Sequence, residues 1–568
     1  MGVSMLRTDP PHGRVRAALA TIVLAALGVA LVAPSAHATP STSLSVVAAP
    51  EVTWSACRDG FECAAVPAPL DHGDPQGVQI RISVIRLPAG EPSRRIGSLL
   101  VNPGGPGGSG VDMVRAVAKI LPLELRASFD IVGFDPRGTN RSTPLRCFDT
   151  LDQAIATLPP FAYPDLPDEE EVQRVSDDAL ASACAQYGGA ILDHMSTADT
   201  ARDMDLLRAA LGDEELTYLG FSYGSVLGQT YANLFPSRVR ALVIDGVVDP
   251  VAWTTGHGEE AVSTPVGTRI GSADGSERTL DEFFRLCDAA GPDCALSGNA
   301  SGRYAELAER LRAHPAASTD PVTGGAFSVT YNDLIAVTVG ALHAPFTWPD
   351  FASFIVDLEQ QLSPAALGQR LAVVRTGLGL EAAAQEPSPN VVEAFPGVTC
   401  SDSTNPRSFA TWQSAADSAE ARYGRFGRFW NWTGSVCRSW PSSAGQDRHL
   451  GPWTAPTSAP VLVVGNHFDP ATPHQGAVAA SQLLPGSRLL SYAGWGHTAF
   501  FSAGNFCVDS HVTRYLVTGD VPAAGTVCEP EGSPFGPTSA ATPEDTGART
   551  AVTAAAVPEA VRRALHAR

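Results

Sequence analysis

The chain has 568 residues, of which 44% are hydrophobic, and it carries a formal net charge of -20 at pH 7. The apolar content is enough for a sizeable core, and a chain of this length usually exceeds one compact core. The negative charge argues against nucleic acid as a partner, because the two would repel each other.

The N-terminus has the pattern of a secretory signal peptide. Arg14 and Arg16 precede an apolar run from Ala17 to Ala33, and small residues then stand where signal peptidase reads, up to Ala38. The run is too short and too rich in small residues for a good membrane span. We therefore expect a secreted, extracellular protein without stable membrane association. Residues 1–38 would be removed, and residues 39–56 are predicted to be a flexible segment.

Ten cysteines in an exported chain most simply form five disulfides. The sequence does not fix the connectivity, and pairing nearest neighbours is the simplest hypothesis. It joins Cys57 to Cys63, Cys147 to Cys184, Cys287 to Cys294, Cys400 to Cys437, and Cys507 to Cys528. No cysteine pair has the spacing or the histidine neighbours of a metal site, so no metal is predicted.

The first predicted strands lead into a glycine-rich loop. Alternation from Val78 to Val84 indicates an antiparallel edge strand with one wet face, and Ser98 to Val101 reads as a buried strand. The loop from Asn102 to Gly110 follows. Backbone N–H groups in such a loop can stabilise the oxyanion of an acyl-transfer reaction, and Gly105 is the predicted donor, with Gly104 as its nearest rival. A phosphate cradle is the alternative, but the loop lacks its Gly-Lys-Ser/Thr ending.

A nucleophile motif comes next. Leu216 to Leu219 predicts a buried strand, the sequence Gly-Phe-Ser-Tyr-Gly follows, and a helical pattern then runs to Pro236. A strand, a tight turn and a helix hold the Ser222 hydroxyl clear of the backbone, as catalysis by serine requires. The N–H of Tyr223, directly after the nucleophile, is the second predicted oxyanion donor. The alternative is a glycine-rich turn, which any parallel α/β fold could contain.

Strands alternating with helices indicate an α/β fold with a mostly parallel central sheet and helices on both faces. The core would comprise residues 57–250 and 456–528. Residues 251–455 between them change to a mainly helical pattern, which predicts a large cap insertion over the site. A separately folded domain without a role in specificity is the alternative.

The second half of the core supplies an acid and a base. Asp469 follows the predicted strand from Val461, and His497 follows the strand from Arg488. The order Ser, acid, His is that of an α/β-hydrolase triad, in which the carboxylate orients the imidazole that deprotonates the serine. Asp245 and Asp249 remain alternatives for the acid.

These motifs together resemble the secreted tripeptidyl aminopeptidases of actinobacteria, relatives of the proline iminopeptidases within the α/β hydrolases. The resemblance runs from Cys57 to Cys528 and leaves residues 529–568 as a predicted flexible tail. It implies the α/β-hydrolase fold, no cofactor, and release of short peptides, often tripeptides, from free N-termini. It also implies acidic cap residues that bind the substrate ammonium. Asp402 is our candidate, and a solvated surface carboxylate is the alternative.

The sequence therefore predicts a secreted serine exopeptidase with Ser222, Asp469 and His497 as its triad. A secreted carboxylesterase or lipase would use the same residues and is the closest alternative. A non-catalytic binding protein that kept the scaffold is a more distant one.

Overall fold

The structure, a computed structural model, describes residues 50–320, 324–361, 363–377 and 390–536. The predicted signal peptide and most of the predicted C-terminal tail lie outside the described residues. In the part that the structure describes, no helix has the length and apolar character needed to cross a membrane.

Among the described residues, ten strands form one sheet and two more form a hairpin. The strands are β1 (Ser55–Ala56), β2 (Glu62–Pro69), β3 (Gln79–Leu87), β4 (Gly97–Asn102), β5 (Phe129–Phe134), β6 (Leu216–Phe221), β7 (Val239–Asp245), β8 (Ala316–Thr319), β9 (Ala326–Val329), β10 (Val461–Phe468), β11 (Arg488–Trp495) and β12 (Val527–Cys528). The sheet order is β1-β2-β3-β5-β4-β6-β7-β10-β11-β12.

The sheet is mostly parallel, as predicted. Its strands run parallel from β5 to β12, and β1, β2, β3 and β5 pair antiparallel at the other end. β3 shows the predicted alternation of buried and exposed residues. It is not an edge strand, however, because β1 and β2 lie outside it. The segment of β2 contains two prolines, so its composition gave no clear strand signal.

The described helices are α1 (Gly110–Val117), α2 (Leu123–Ser128), α3 (Leu151–Ala156), α4 (Pro167–Tyr187), α5 (Thr197–Ala210), α6 (Tyr223–Leu234), α7 (Pro250–Thr254), α8 (Glu260–Ser263), α9 (Val266–Arg269), α10 (Ser272–Ala290), α11 (Ala300–Ala313), α12 (Tyr331–His343), α13 (Trp348–Glu359), α14 (Pro364–Gly377), α15 (Val391–Asp402), α16 (Phe409–Tyr423), α17 (Phe426–Trp432), α18 (His474–Leu483) and α19 (Phe506–Thr518). Buried side chains of α1, α2 and α19 cover one face of the sheet. Those of α5, α6 and α18 cover the other face. This two-sided cover explains why the central strands read as continuous apolar runs.

The segment between β7 and β10 has its own core. Apolar residues of α10 to α13 and α17 form one cluster, with Trp348 and Phe283 at its centre. The segment is mainly helical, as predicted, apart from the β8–β9 hairpin. We call residues 251–455 the cap.

A helix from an earlier part of the chain also packs against the cap. Helix α4, which precedes β6 in the chain, forms a buried ion pair from Glu170 to Arg428. Asp177 of the same helix accepts a hydrogen bond from Ser435 at 2.6 Å. A boundary drawn at residue 251 therefore leaves out a helix that packs on the cap.

The start of the predicted flexible tail is structured. Phe535 is 4% exposed, and its ring packs against Phe283 and Trp348 in the cap cluster. The flexible-tail prediction therefore does not hold for residues 529–536. The segment is short, rich in Pro and Gly, and has too little apolar content for the sequence to predict this contact.

All five predicted disulfides are present with the predicted pairing. Cys57–Cys63 closes a short loop beside the antiparallel strands. Cys287–Cys294 and Cys400–Cys437 lie within the cap. Cys507–Cys528 joins α19 to β12 at the parallel end of the sheet.

Candidate active site

Ser222 lies in a strained turn between β6 and α6. Its backbone has φ 57° and ψ -123°, a conformation that residues with a Cβ rarely adopt. Its N–H donates to Asp245 O at 2.8 Å, which ties the turn to the end of β7. A Cβ on Gly220 would lie 2.4 Å from Gly224 O, so the turn closes only because position 220 carries no side chain.

The glycine-rich loop after β4 lies directly against this turn. A Cβ on Gly104 would come within 3.0 Å of both Ser222 Cβ and Tyr223 N. The N–H of Gly104 donates to Asn102 Oδ1 at 2.9 Å, so it is already hydrogen-bonded within the protein. In the described part of the chain, the N–H groups of Gly105 and Tyr223 have no hydrogen-bond acceptor. Of the two predicted glycines, Gly105 is thus the one with a free donor.

Asp469 and His497 form a buried pair. His497 Nδ1 lies 2.9 Å from both Asp469 carboxylate oxygens, and both side chains are almost fully buried. Asp469 also accepts hydrogen bonds from the N–H groups of Ala471 and Thr472 and from the Thr472 hydroxyl. Burial opposes ionisation, but His497 and these donors outweigh it and lower the pKa of Asp469. Asp469 is therefore the carboxylate that accepts the hydrogen bond from His497 Nδ1.

The turn after β7 links Ser222 to this pair. Asp245 O accepts the Ser222 N–H, and a Cβ on the next residue, Gly246, would lie 3.2 Å from His497 Cε1. Ser222 and His497 therefore both lie next to the segment Asp245–Gly246. His497 Nε2 is buried and has no hydrogen-bond partner among the described residues. No described residue competes for the nitrogen that would take a serine proton.

The other candidates for the acid have different contacts. Both Asp245 oxygens accept backbone N–H groups of Ala499 and Phe500, just beyond His497. Asp249 caps helix α7 and contacts His257. Neither bonds the His497 ring in the structure.

Asp245 is itself unusual. Burial raises its pKa to about 7, and the nearby charge of Asp469 acts in the same direction, whereas the two backbone donors lower it. Asp245 anchors the loop that carries His497, a role that sequence reasoning did not assign.

Asn466, near the end of β10, was missed as well. Its Nδ2 donates to Gly496 O at 2.8 Å and to Thr498 O at 2.7 Å, the carbonyls on either side of His497. The signal available in the sequence was a polar residue near the end of an otherwise apolar strand. That Asn466 is fully buried is apparent only from the folded structure. The Thr472 hydroxyl donates to Asp469 and also lies 3.2 Å from His497 Nδ1.

The cap contacts the acid loop through helix α10. The hydroxyls of Ser272 and Ser276 donate to Ala471 O and Pro470 O, the two residues after Asp469. A Cβ on Gly275, between them, would lie 2.5 Å from Asp469 O. Helix α10 therefore packs on the acid loop backbone to backbone.

Helix α15 of the cap contacts the other side of the site. A Cβ on Gly107 of the glycine-rich loop would meet Ala394 Cβ at 2.9 Å. At the far end of α15, Asp402 accepts hydrogen bonds from the Thr197 backbone and hydroxyl and from Trp253 Nε1. The Thr197 hydroxyl in turn bonds Tyr223 OH.

Asp402 is thus buried rather than solvated. Burial raises its pKa to about 6, although its three hydrogen-bond donors act to lower it. Its oxygens join the cap to α5 and, through Thr197, to Tyr223, the residue after Ser222. The predicted ammonium-binding role of Asp402 stays a prediction, and the side chain that would carry it is only 3% exposed.

Apart from a group that contains the disulfide-bonded Cys507 and Cys528, the described residues contain one group of side chains that could bind a metal ion. In the described residues, ligand atoms of His194, Asp199 and Asp447 lie within 4.8 Å of one another. His194 Nδ1 already contacts Asp447 at 3.1 Å, and Arg202 pairs with Asp199 at 2.9 Å. The group is satisfied by protein partners.

Comparison with known proteins gives two family matches along the chain. Residues 97–264 match the model described as the alpha/beta hydrolase fold, and residues 421–528 match that of TAP-like proteins. The first match contains the glycine-rich loop and Ser222, and the second contains Asp469 and His497.

Three relatives cover most of the chain. Carboxylesterase B of Mycobacterium tuberculosis is 34% identical over 88% of this chain and 93% of its own length. Serine protease Hip1 of the same species is 30% identical over 84% of this chain and 91% of its own. Tripeptidyl aminopeptidase of Streptomyces coelicolor is 31% identical over 85% and 87%.

Proposed function

The chain belongs to the α/β-hydrolase family of the tripeptidyl aminopeptidases, and from that membership we propose that it releases short peptides, tripeptides among them, from free N-termini. Membership makes it a serine hydrolase, and the relatives named serine protease and tripeptidyl aminopeptidase support a peptidase. The observation that carries the proposal is the buried Asp469–His497 pair. Its Nε2 has no partner among the described residues, and its ring lies beside Gly246, the residue after the Asp245 carbonyl that accepts the Ser222 N–H.

In the proposed reaction, His497 Nε2 takes the Ser222 proton while Asp469 stabilises the imidazolium. The serine oxygen attacks the scissile carbonyl, and the N–H groups of Gly105 and Tyr223 donate to the resulting oxyanion. His497 then protonates the leaving nitrogen, which leaves the peptidyl group as an ester on Ser222. Water activated by the same histidine hydrolyses that ester. No metal or organic cofactor takes part.

A paired substrate tests the proposal. We expect purified protein to cleave a tripeptide-nitroanilide with a free N-terminus and to leave its acetylated counterpart nearly untouched. Ser222→Ala is expected to lower kcat by at least about a thousandfold, as loss of a triad nucleophile does. Ser481→Ala removes a hydroxyl that donates within its own helix, and should leave the rate unchanged.

Equal cleavage of the free and acetylated compounds would exclude recognition of the N-terminus. Activity that survives in Ser222→Ala would exclude the mechanism.

A carboxylesterase is the second candidate, and the 34% identity to carboxylesterase B favours it. The same acyl-enzyme chemistry cleaves esters, so the comparison must be quantitative. A kcat/KM for nitrophenyl butyrate far above that for every free peptide would support the esterase.

We also propose that the protein is exported and that residues 1–38 are its signal peptide. The five disulfides support this, because such bonds persist in oxidising compartments. N-terminal sequencing of protein recovered from culture medium should begin at Thr39. Recovery of the intact N-terminus from cells alone would contradict it.

A further inference from the structure

His343, the last residue of α12, touches the proposed base directly. Its backbone carbonyl accepts a hydrogen bond from the N–H of His497 at 3.0 Å. The two imidazole rings meet edge to face, with centroids 5.1 Å apart. His343 is 3% exposed, so the cap buries a second histidine against His497.

The tautomer of His343 follows from its contacts. Nδ1 lies 2.7 Å from Val339 O, and only a protonated ring nitrogen can bond to a carbonyl oxygen. Nε2 is then a lone-pair acceptor on the side of the ring that faces away from this carbonyl. It is buried and meets no hydrogen-bond donor among the described residues.

The ring also stays neutral. Burial lowers the pKa of His343 to about 3, and the charge on His497 acts in the same direction, while Asp469 opposes it. His497 and Asp469 are the titratable groups that face His343 from neighbouring elements. The acceptor at Nε2 therefore persists across the physiological pH range.

Amide cleavage creates a need for such an acceptor. The leaving nitrogen of a peptide carries one hydrogen, which remains after the nitrogen lone pair has received the proton from His497. An N–H enclosed by protein without an acceptor is unfavourable. The leaving oxygen of an ester carries no hydrogen, so ester cleavage has no such requirement.

We propose that His343 Nε2 accepts the N–H of the leaving nitrogen and so favours amide over ester cleavage. The inference rests on the proposed peptidase function. During the step, the carbon–nitrogen bond breaks as the nitrogen takes the proton from His497 Nε2, and the acyl group stays on Ser222. His343 gains and loses no proton, because it contributes only a hydrogen bond.

The test compares one acyl group on two leaving groups. The substrates are a free tripeptide-nitroanilide and the nitrophenyl ester of the same tripeptide, and kcat/KM is measured because it reports acylation for both. His343→Phe keeps an aromatic ring beside His497 but removes the nitrogen. We expect kcat/KM for the anilide to fall about tenfold, the effect of one lost hydrogen bond, and that for the ester to change little.

Two further variants sharpen the result. His343→Gln places an amide oxygen near the position of Nε2, and should recover much of the anilide rate. His449→Phe removes another unpartnered, buried histidine nitrogen, next to Trp453, and serves as the matched control with an unchanged ratio. Because the ratio of the two substrates is taken within each variant, partial loss of folded protein cancels.

An equal fall for anilide and ester in His343→Phe would overturn the inference, since His343 would then act only by positioning His497. Wild-type protein that cleaves the ester and no peptide would overturn the proposed function instead, together with this inference. The two failures are therefore distinguishable.

Discussion

The core and the cap hold the same site by different means. The core provides the proposed triad, and each member stands in a loop at the carboxyl end of a strand, after β6, β10 and β11. The cap provides no member of the triad, yet α10 contacts the acid loop, α12 contacts His497, and α15 contacts the glycine-rich loop. The core therefore carries the proposed reactive groups, and the cap contacts the backbone that positions them.

This difference predicts which substitutions affect the chemical step and which affect the packing that positions the reactive groups. In the core, an isosteric change at one reactive group should abolish catalysis without loss of the fold. In the cap, apart from the hydrogen bond proposed for His343, a change should act through packing, so that stability and rate fall together.

The largest effect is expected for Asp469→Asn. The amide keeps the shape but cannot fix the His497 tautomer or stabilise its charged form, so kcat for the free tripeptide-nitroanilide should fall by about 10⁴-fold. Asp249→Asn is the matched control, because asparagine also caps helices well and Asp249 does not contact His497. Comparable losses in the two variants would contradict the assignment of the acid.

A second core prediction concerns stability and pH at Asp245. Its pKa is about 7 in the folded protein, against about 3.9 in an unfolded chain, so the folded state holds the proton longer. The raised pKa of Asp245 therefore lowers the unfolding free energy of the wild type as pH rises from about 4 to about 7. Above that range the effect of Asp245 on stability is nearly constant. Relative to the wild type, Asp245→Asn should gain roughly 3 kcal/mol of unfolding free energy between pH 4 and pH 7.

Denaturant unfolding of both proteins at several pH values measures this difference. A difference that stays flat, or that falls with pH, would show that Asp245 is ionised throughout. The same experiment on Asp402→Asn, whose wild-type carboxyl has a pKa of about 6, should give a smaller gain that ends one pH unit earlier.

On the cap side, Phe535→Ala tests whether the end of the described chain anchors the cap. Loss of a buried phenylalanine that packs on Phe283 and Trp348 should cost about 3 kcal/mol of unfolding free energy. Phe506→Ala is the control, because that ring is 78% exposed and its loss should change stability by less than about 0.5 kcal/mol. Similar small effects in both would mean that the segment does not hold the cap.

The core was largely predictable from sequence for a physical reason. Strands buried on both faces are apolar throughout, and the turn at Ser222 requires glycines at fixed positions, so both leave local signals. The central parallel strands and all five disulfides were predicted correctly. β2 was missed because strand pairing, and not its composition, makes it a strand.

The cap contacts left no such signal. His343 ends an ordinary apolar helix, and Gly275 is one small residue in a polar one, so nothing local marks either as a neighbour of the site. Their importance arises from tertiary contacts over more than 150 residues of sequence. Asp402 illustrates the same limit, since its burial against Thr197 and Trp253 could not be read from its neighbours.

The smallest predicted effect, and the sharpest test of the comparison, is Gly275→Ala in helix α10. The new Cβ would lie 2.5 Å from Asp469 O and 2.8 Å from Pro473 Cγ, and backbone cannot move aside as a side chain can. We expect a loss of about 1 to 3 kcal/mol in stability from overpacking, and a kcat several-fold lower as the acid loop shifts. Gly302→Ala in α11 is the matched control, because the three atoms nearest its Cβ all belong to the Asn299 side chain, which can move aside, and alanine favours helices. If Gly275→Ala lost stability but kept its full rate, the acid loop would hold Asp469 without help from the cap, and the division of roles would fail at this contact.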